Sequence, residues 1–129
     1  MTTIAKDVFA LDPRIRYVAV NRKGAIAELA QSVGHPSFNP AETDRMEELL
    51  VNPVALELFS RRGNLDLGGV RFLIVRYGLQ YQVILPWPGG HVSVGVEADG
   101  DPVAIAVHGA GVAPSAVAAR HDSCGDRVE

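Results

Sequence analysis

The sequence predicts an α+β domain, and three observations carry that prediction. Residues 68–97 hold three strand-like apolar runs divided by turn residues. Residues 14–30 hold two more, on either side of Asn21-Arg22-Lys23-Gly24, which has Asn at the first position of a tight reversal and Gly at the last. The stretches around them repeat apolar residues at helical spacing. A chain of 129 residues is one domain's worth, large enough to bury a core without disulfides or a structural metal.

Taken in order, Thr2 or Thr3 caps a short helix whose stripe is Ile4, Val8 and Leu11, and Asp12-Pro13 stops it. Residues 14–21 then alternate, placing Ile15, Tyr17 and Ala19 on one side of a strand and Arg16, Val18 and Val20 on the other. Residues 25–30 return as the second strand. Residues 31–39 leave the sheet as a loop of Ser, Gly, His, Pro and Asn. A helix follows, with Asn39 as cap, Pro40 at its first position, Glu42 completing a capping box, and Met46, Leu49 and Leu50 as its buried stripe. Pro53 removes a backbone donor, which predicts a kink or a restart with Asn52 as a new cap. Leu56 with Phe59 or Ser60, a Glu57–Arg61 pair and Gly63 as terminator make up the second helical piece.

In residues 68–97, a hairpin tip at Tyr77-Gly78 with Gly at positive φ would oppose Val70 to Leu85, Phe72 to Val83 and Ile74 to Tyr81, an apolar face that must be core. The other face pairs Arg71 with Ile84, Leu73 with Gln82 and Val75 with Gln80. It is too apolar for open water and too polar for a dry interior, so something covers part of it. Residues 98–102 allow two continuations. Either a hairpin tip returns Val103, Ile105 and Val107 as a strand, or Asp101 caps a helix with Pro102 at its first position that ends at Gly109. The helix is preferred. Residues 1–109 then form the single domain, and residues 110–129 a flexible tail.

Composition narrows the function classes. The single cysteine, Cys124, forbids an internal disulfide and points to a reducing, cytoplasmic setting. No run is long and apolar enough for a membrane span. A net charge of −3 gives no electrostatic reason to expect nucleic acid or an anionic membrane as partner, and Arg14, Arg16, Arg71 and Arg76 read as solvated strand edges. His121 and Cys124 have a spacing that suits two metal ligands, but structural zinc needs four, and His35, His91 and His108 stand alone in sequence, so no metal is expected. Ser93 lies two positions from His91 on one strand, yet no acidic partner is placed beside them. The glycine pairs at 68–69, 89–90 and 109/111 lack the context of a phosphate or dinucleotide loop. No catalytic residue and no cofactor are therefore expected. Trp87, between Pro86 and Pro88, is either an interface anchor or the cap of the core, and the core reading is preferred.

The run Ile15-Arg16-Tyr17-Val18-Ala19-Val20-Asn21-Arg22-Lys23-Gly24, an apolar strand entering a polar turn closed by Gly, resembles the first hairpin of the roadblock and dynein-light-chain family. The order helix, two strands, helix, three strands, short helix is also similar to that family and, more loosely, to other profilin-like folds. The resemblance implies a five-stranded antiparallel sheet with helices packed on its faces. It also implies a non-enzymatic scaffold or regulatory domain, often a homodimer, whose partners are itself and a small GTPase or other protein. PAS-like and GAF-like sensors share a related layout, so a small-molecule sensor with a pocket between the sheet and the helices of residues 40–62 is the alternative. The half-covered second face of the hairpin predicts a homodimer through residues 40–62 and the strand 70–77, with Leu73, Val75, Ile84 and Trp87 at the interface.

Overall fold

The computed structural model of this chain describes residues 3–32 and 43–112. Helix α1 (Ile4–Phe9) begins at Thr3, whose hydroxyl accepts the Lys6 amide at 3.2 Å. Strands β1 (Ile15–Arg22) and β2 (Ala25–Gln31) form a hairpin turned by Lys23 and Gly24, both at positive φ. Two left-handed residues at a two-residue tip match the twist of the strands they join. A long helix follows in three parts: α2 (Thr43–Met46), a π turn (Glu47–Val51) and α3 (Asn52–Asp66). Strands β3 (Leu73–Arg76), β4 (Gln80–Trp87) and β5 (Gly90–Glu97) form a meander, and α4 (Pro102–Val112) closes the described chain.

The five strands make one sheet in the order β2-β1-β5-β4-β3, with every neighbouring pair antiparallel. Helices α1 and α4 cover one face. Ala5, Val8, Ile105 and Ala106 pack there on Val18, Val20, Val83, Leu85, Trp87, Val92, Val94 and Val96, a dry aliphatic core. The long helix covers the other face. The architecture is thus the expected α+β one, with helices on both faces of a five-stranded antiparallel sheet.

Several local expectations change. The β3–β4 tip is Gly78-Leu79 instead of Tyr77-Gly78, closed by the Tyr77 amide on the Gln80 carbonyl at 2.8 Å, and Gly78 does not take positive φ. Ile74 therefore faces Val83 and Leu73 faces Ile84. Moving a tip by one residue moves each cross-strand partner by two, so the register is corrected while each residue keeps its face. The paired strand also starts at Leu73, leaving Phe72 half-buried at the edge of the core instead of at its centre. In β1 an irregularity between Ile15 and Tyr17 breaks the alternation. Ile15 consequently shares the aliphatic face with Val18 and Val20, while Tyr17 and Ala19 lie on the other.

The long helix departs furthest from expectation. The helix runs without a break from the π turn through Pro53, and Asn52 is fully helical and buried rather than a cap. Met46 and Leu50 point to solvent, and Glu48 takes the buried position expected of an apolar residue. Gly63 does not end the helix. It lies inside α3, where the Gly69 backbone packs 3.3 Å from the position of a Cβ, and its carbonyl accepts the Leu67 and Gly69 amides at 3.0 and 3.1 Å. The chain turns away at Gly68 and Gly69, both at positive φ. Residues 102–112 are helical, with the Asp101 carboxylate accepting the Ala104 amide at 3.1 Å, and the helix runs past Gly109 to Val112. The capping box of Asn39, Pro40 and Glu42, His35, His121, Cys124 and the greater part of the expected tail lie outside the described residues. No described helix is long and apolar enough to cross a membrane.

Candidate functional site

The face beneath the long helix carries a buried polar layer. Strand β1 contributes Tyr17 and Asn21, β4 contributes Gln82, and β5 contributes His91 and Ser93; the helix lowers Glu48 and Asn52 onto them, all buried. Gly95 makes room for this layer, since a Cβ there would stand 2.4 Å from the Tyr17 ring. The Tyr17 hydroxyl donates to Gln82 Oε1 at 2.8 Å, Gln80 donates to the same oxygen at 3.3 Å, and Arg16 Nη1 donates to Gln80 at 3.2 Å. The Gln82 amide donates to Ser93 Oγ, which lies 3.5 Å from Asn52 Nδ2.

His91 Nε2 stands 2.7 Å from Glu48 Oε1 and 3.3 Å from Asn52 Nδ2. A proton on Nε2 makes His91 the donor to Glu48. Asn21, paired directly with His91 across the β1–β5 ladder, donates its side-chain amide to the Glu48 carbonyl at 3.0 Å. Glu48 is thus held twice, by its carboxylate and by its main chain. Glu48 Oε2 and Asn52 Oδ1 are buried without a partner among the described residues, a cost borne by polar burial of this density. Burial raises the Tyr17 phenol well above its ordinary 10.0, the Glu48 carboxylate adding to the effect against the Gln82 hydrogen bond.

This layer supplies the acid that sequence reading could not place beside His91 and Ser93, yet it does not make a hydrolytic centre. Ser93 bonds Gln82 and Asn52 rather than His91, and His91, Ser93 and Glu48 are at most 1% exposed. Sequence reading missed the layer because its members come from four separate segments. The one signal was the pair Gln80 and Gln82 set among Leu73, Val75 and Ile84 on the mixed face of the hairpin. Among the described residues no group of three metal-ligating side chains occurs. A cleft of about 340 Å³ opens between Leu49, Pro53, Leu56, Glu57 and Ser60 of the helix and Gly24, Gly89 and Gly90 of the turns, with His91 in its wall.

The outer side of the long helix carries an apolar stripe among charged residues. Met46, Leu50, Val54, Leu58 and Leu65 are exposed along it, Leu58 by 63%. At the sheet's edge, Val75 is exposed and Leu73 half-buried. The other two residues expected at an interface lie inside the protomer: Ile84 is 1% exposed on the helix-covered face, and Trp87 is 9% exposed in the aliphatic core with the Arg22 guanidinium 5.4 Å above its ring. The Glu57–Arg61 pair forms as expected, at 2.8 Å.

No family model matches the sequence, and no curated protein matches it. Among solved structures the fold is similar to a roadblock/LC7 domain from Streptomyces avermitilis, with a TM-score of 0.67, 14% identity, and 90% of this chain and 93% of that chain covered. It is also similar to the gliding protein MglB from Thermus thermophilus, with a TM-score of 0.62, 16% identity, and 90% and 84% covered. A third likeness is to MglC from Myxococcus xanthus, with a TM-score of 0.56, 13% identity, and 90% and 95% covered. The chain has the roadblock/LC7 fold.

Proposed function

We propose that this chain is a non-enzymatic interaction domain that binds a second copy of itself and, as a regulator, a further protein such as a small GTPase. The observation that carries the reading is the exposed apolar stripe Met46, Leu50, Val54, Leu58 and Leu65 on the long helix, far more apolar surface than a solvated helix face needs. Beside it, β3 is an edge strand, and no described strand pairs with its outer side. A two-fold axis lets both features meet their own copies. Leu73 and Val75 then lie in the interface, while Ile84 and Trp87 are buried inside the protomer.

Sedimentation at tens of micromolar should find a dimer, and Val75→Lys should give a folded monomer, because the new charge falls on the exposed edge strand. A monomeric unmodified protein, or unfolding by Val75→Lys, would overturn the arrangement. The alternative, a small-molecule sensor, is favoured by one observation, the cleft of about 340 Å³ between helix and turns, which is of ligand-binding size. Native mass spectrometry of the purified protein separates the two readings by revealing either a second copy or a retained small molecule.

A further inference from the structure

The π turn links the buried layer to the exposed stripe. In a helix of uniform α pitch, Met46 would stand roughly 120° around the axis from Leu58. A π turn takes in one additional residue, about 100° of rotation, so across Glu47–Val51 Met46 comes to within roughly 20° of Leu58. The turn therefore straightens Met46, Val54, Leu58 and Leu65 into one line along a single side of the helix.

Its hydrogen bonding explains what holds it. The Asn52 amide bonds to the Glu47 carbonyl five residues back. The next bond in that pattern would run from residue 53 to the Glu48 carbonyl, and Pro53 has no N–H to make it. Asn21 makes it instead, from the sheet, at 3.0 Å. His91, opposite Asn21 in the ladder, holds the carboxylate of the same residue at 2.7 Å.

We propose that Asn21 and His91 form a clamp on Glu48 that fixes the π turn, and through it the alignment of the stripe that meets the second copy. The inference rests on the dimer reading for its output and stands apart from that reading in its mechanism. Asn21 is a positioning residue standing in for the proline's absent donor, which makes a specific prediction about two side chains that are far apart in sequence. Asn21→Ala should leave the Glu48 carbonyl without a donor. Amide exchange over residues 43–52 should then quicken, and self-association weaken, each by about tenfold, the weight of one buried hydrogen bond. Adding Pro53→Ala returns an N–H at residue 53, so the double variant should recover both properties to within about twofold of the unmodified protein. Pro53→Ala alone should change neither.

Failure of Pro53→Ala to restore exchange in the Asn21→Ala background would overturn the clamp, because a merely packed Asn21 cannot be replaced by a backbone donor on another element. Faster exchange with unchanged association would overturn the link to the stripe. Should the unmodified protein prove monomeric, the dimer reading falls, while the exchange measurements still decide the clamp.

Discussion

Glu47 stands at the junction of the long helix and the β3–β4 tip. Its Oε1 accepts the Tyr77 hydroxyl at 3.1 Å, and its Oε2 is buried with no partner among the described residues. Burial, then the neighbouring Glu48 and Asp44 carboxylates, raise its pKa above the ordinary 4.5, against the lowering effect of the Tyr77 hydrogen bond and His91. A carboxylate whose folded pKa is raised favours folding fully below the unfolded value and loses that contribution as pH rises through the folded one. Glu47 therefore opposes folding near neutrality. Glu47→Gln keeps an acceptor for Tyr77 and should raise stability at pH 7.5 while changing little at pH 4, as read by urea titration at the two values. A variant less stable at pH 7.5 than the parent would mean that the Tyr77 hydrogen bond outweighs the buried charge. Tyr17 has the same sign at the other end of the scale: its raised phenol favours folding below pH 10 and withdraws that contribution above it.

Among the elements, the β3–β4 hairpin shows what a sequence pattern specifies and what it leaves open. Alternation assigned Ile74, Val83 and Leu85 to the core and Leu73, Val75 and Gln82 to the other face, and all keep those sides. Alternation has a period of two, so it cannot tell apart registers that differ by two; here the tip residues Gly78 and Leu79 decide, and neither takes a left-handed conformation that would mark it in sequence. The shift changes the energetics of single residues. Leu85, 3% exposed, should cost about 2 to 5 kcal/mol on truncation to Ala. Phe72, half-buried and unpaired, should cost less than Leu85 in the same denaturant titration, and a larger loss for Phe72 would restore it to the centre of the core. The long helix was legible as a helix but not in its orientation. The spacing places Met46, Leu50 and Phe59 inward, whereas all three are exposed and Glu48 and Asn52 take the inward positions. Such an inversion is visible only once the polar residues of three strands are known to lie beneath it.

At the scale of the whole molecule, the sheet is covered on its two faces by different chemistry. α1 and α4 are held by aliphatic burial, and the residues the long helix turns most deeply toward the sheet, Glu48 and Asn52, are held by hydrogen bonds. The two coverings should therefore answer differently to the solvent. Sulfate, excluded from protein surface, strengthens the burial of apolar area and does far less for contacts between polar side chains. Under native conditions with added sulfate, amides in α1 and α4 should gain protection while those in residues 43–66 gain little, so that the helix becomes the part of the fold that opens first and alone. Equal gains on both sides would mean that the sheet and all its helices open as one cooperative unit.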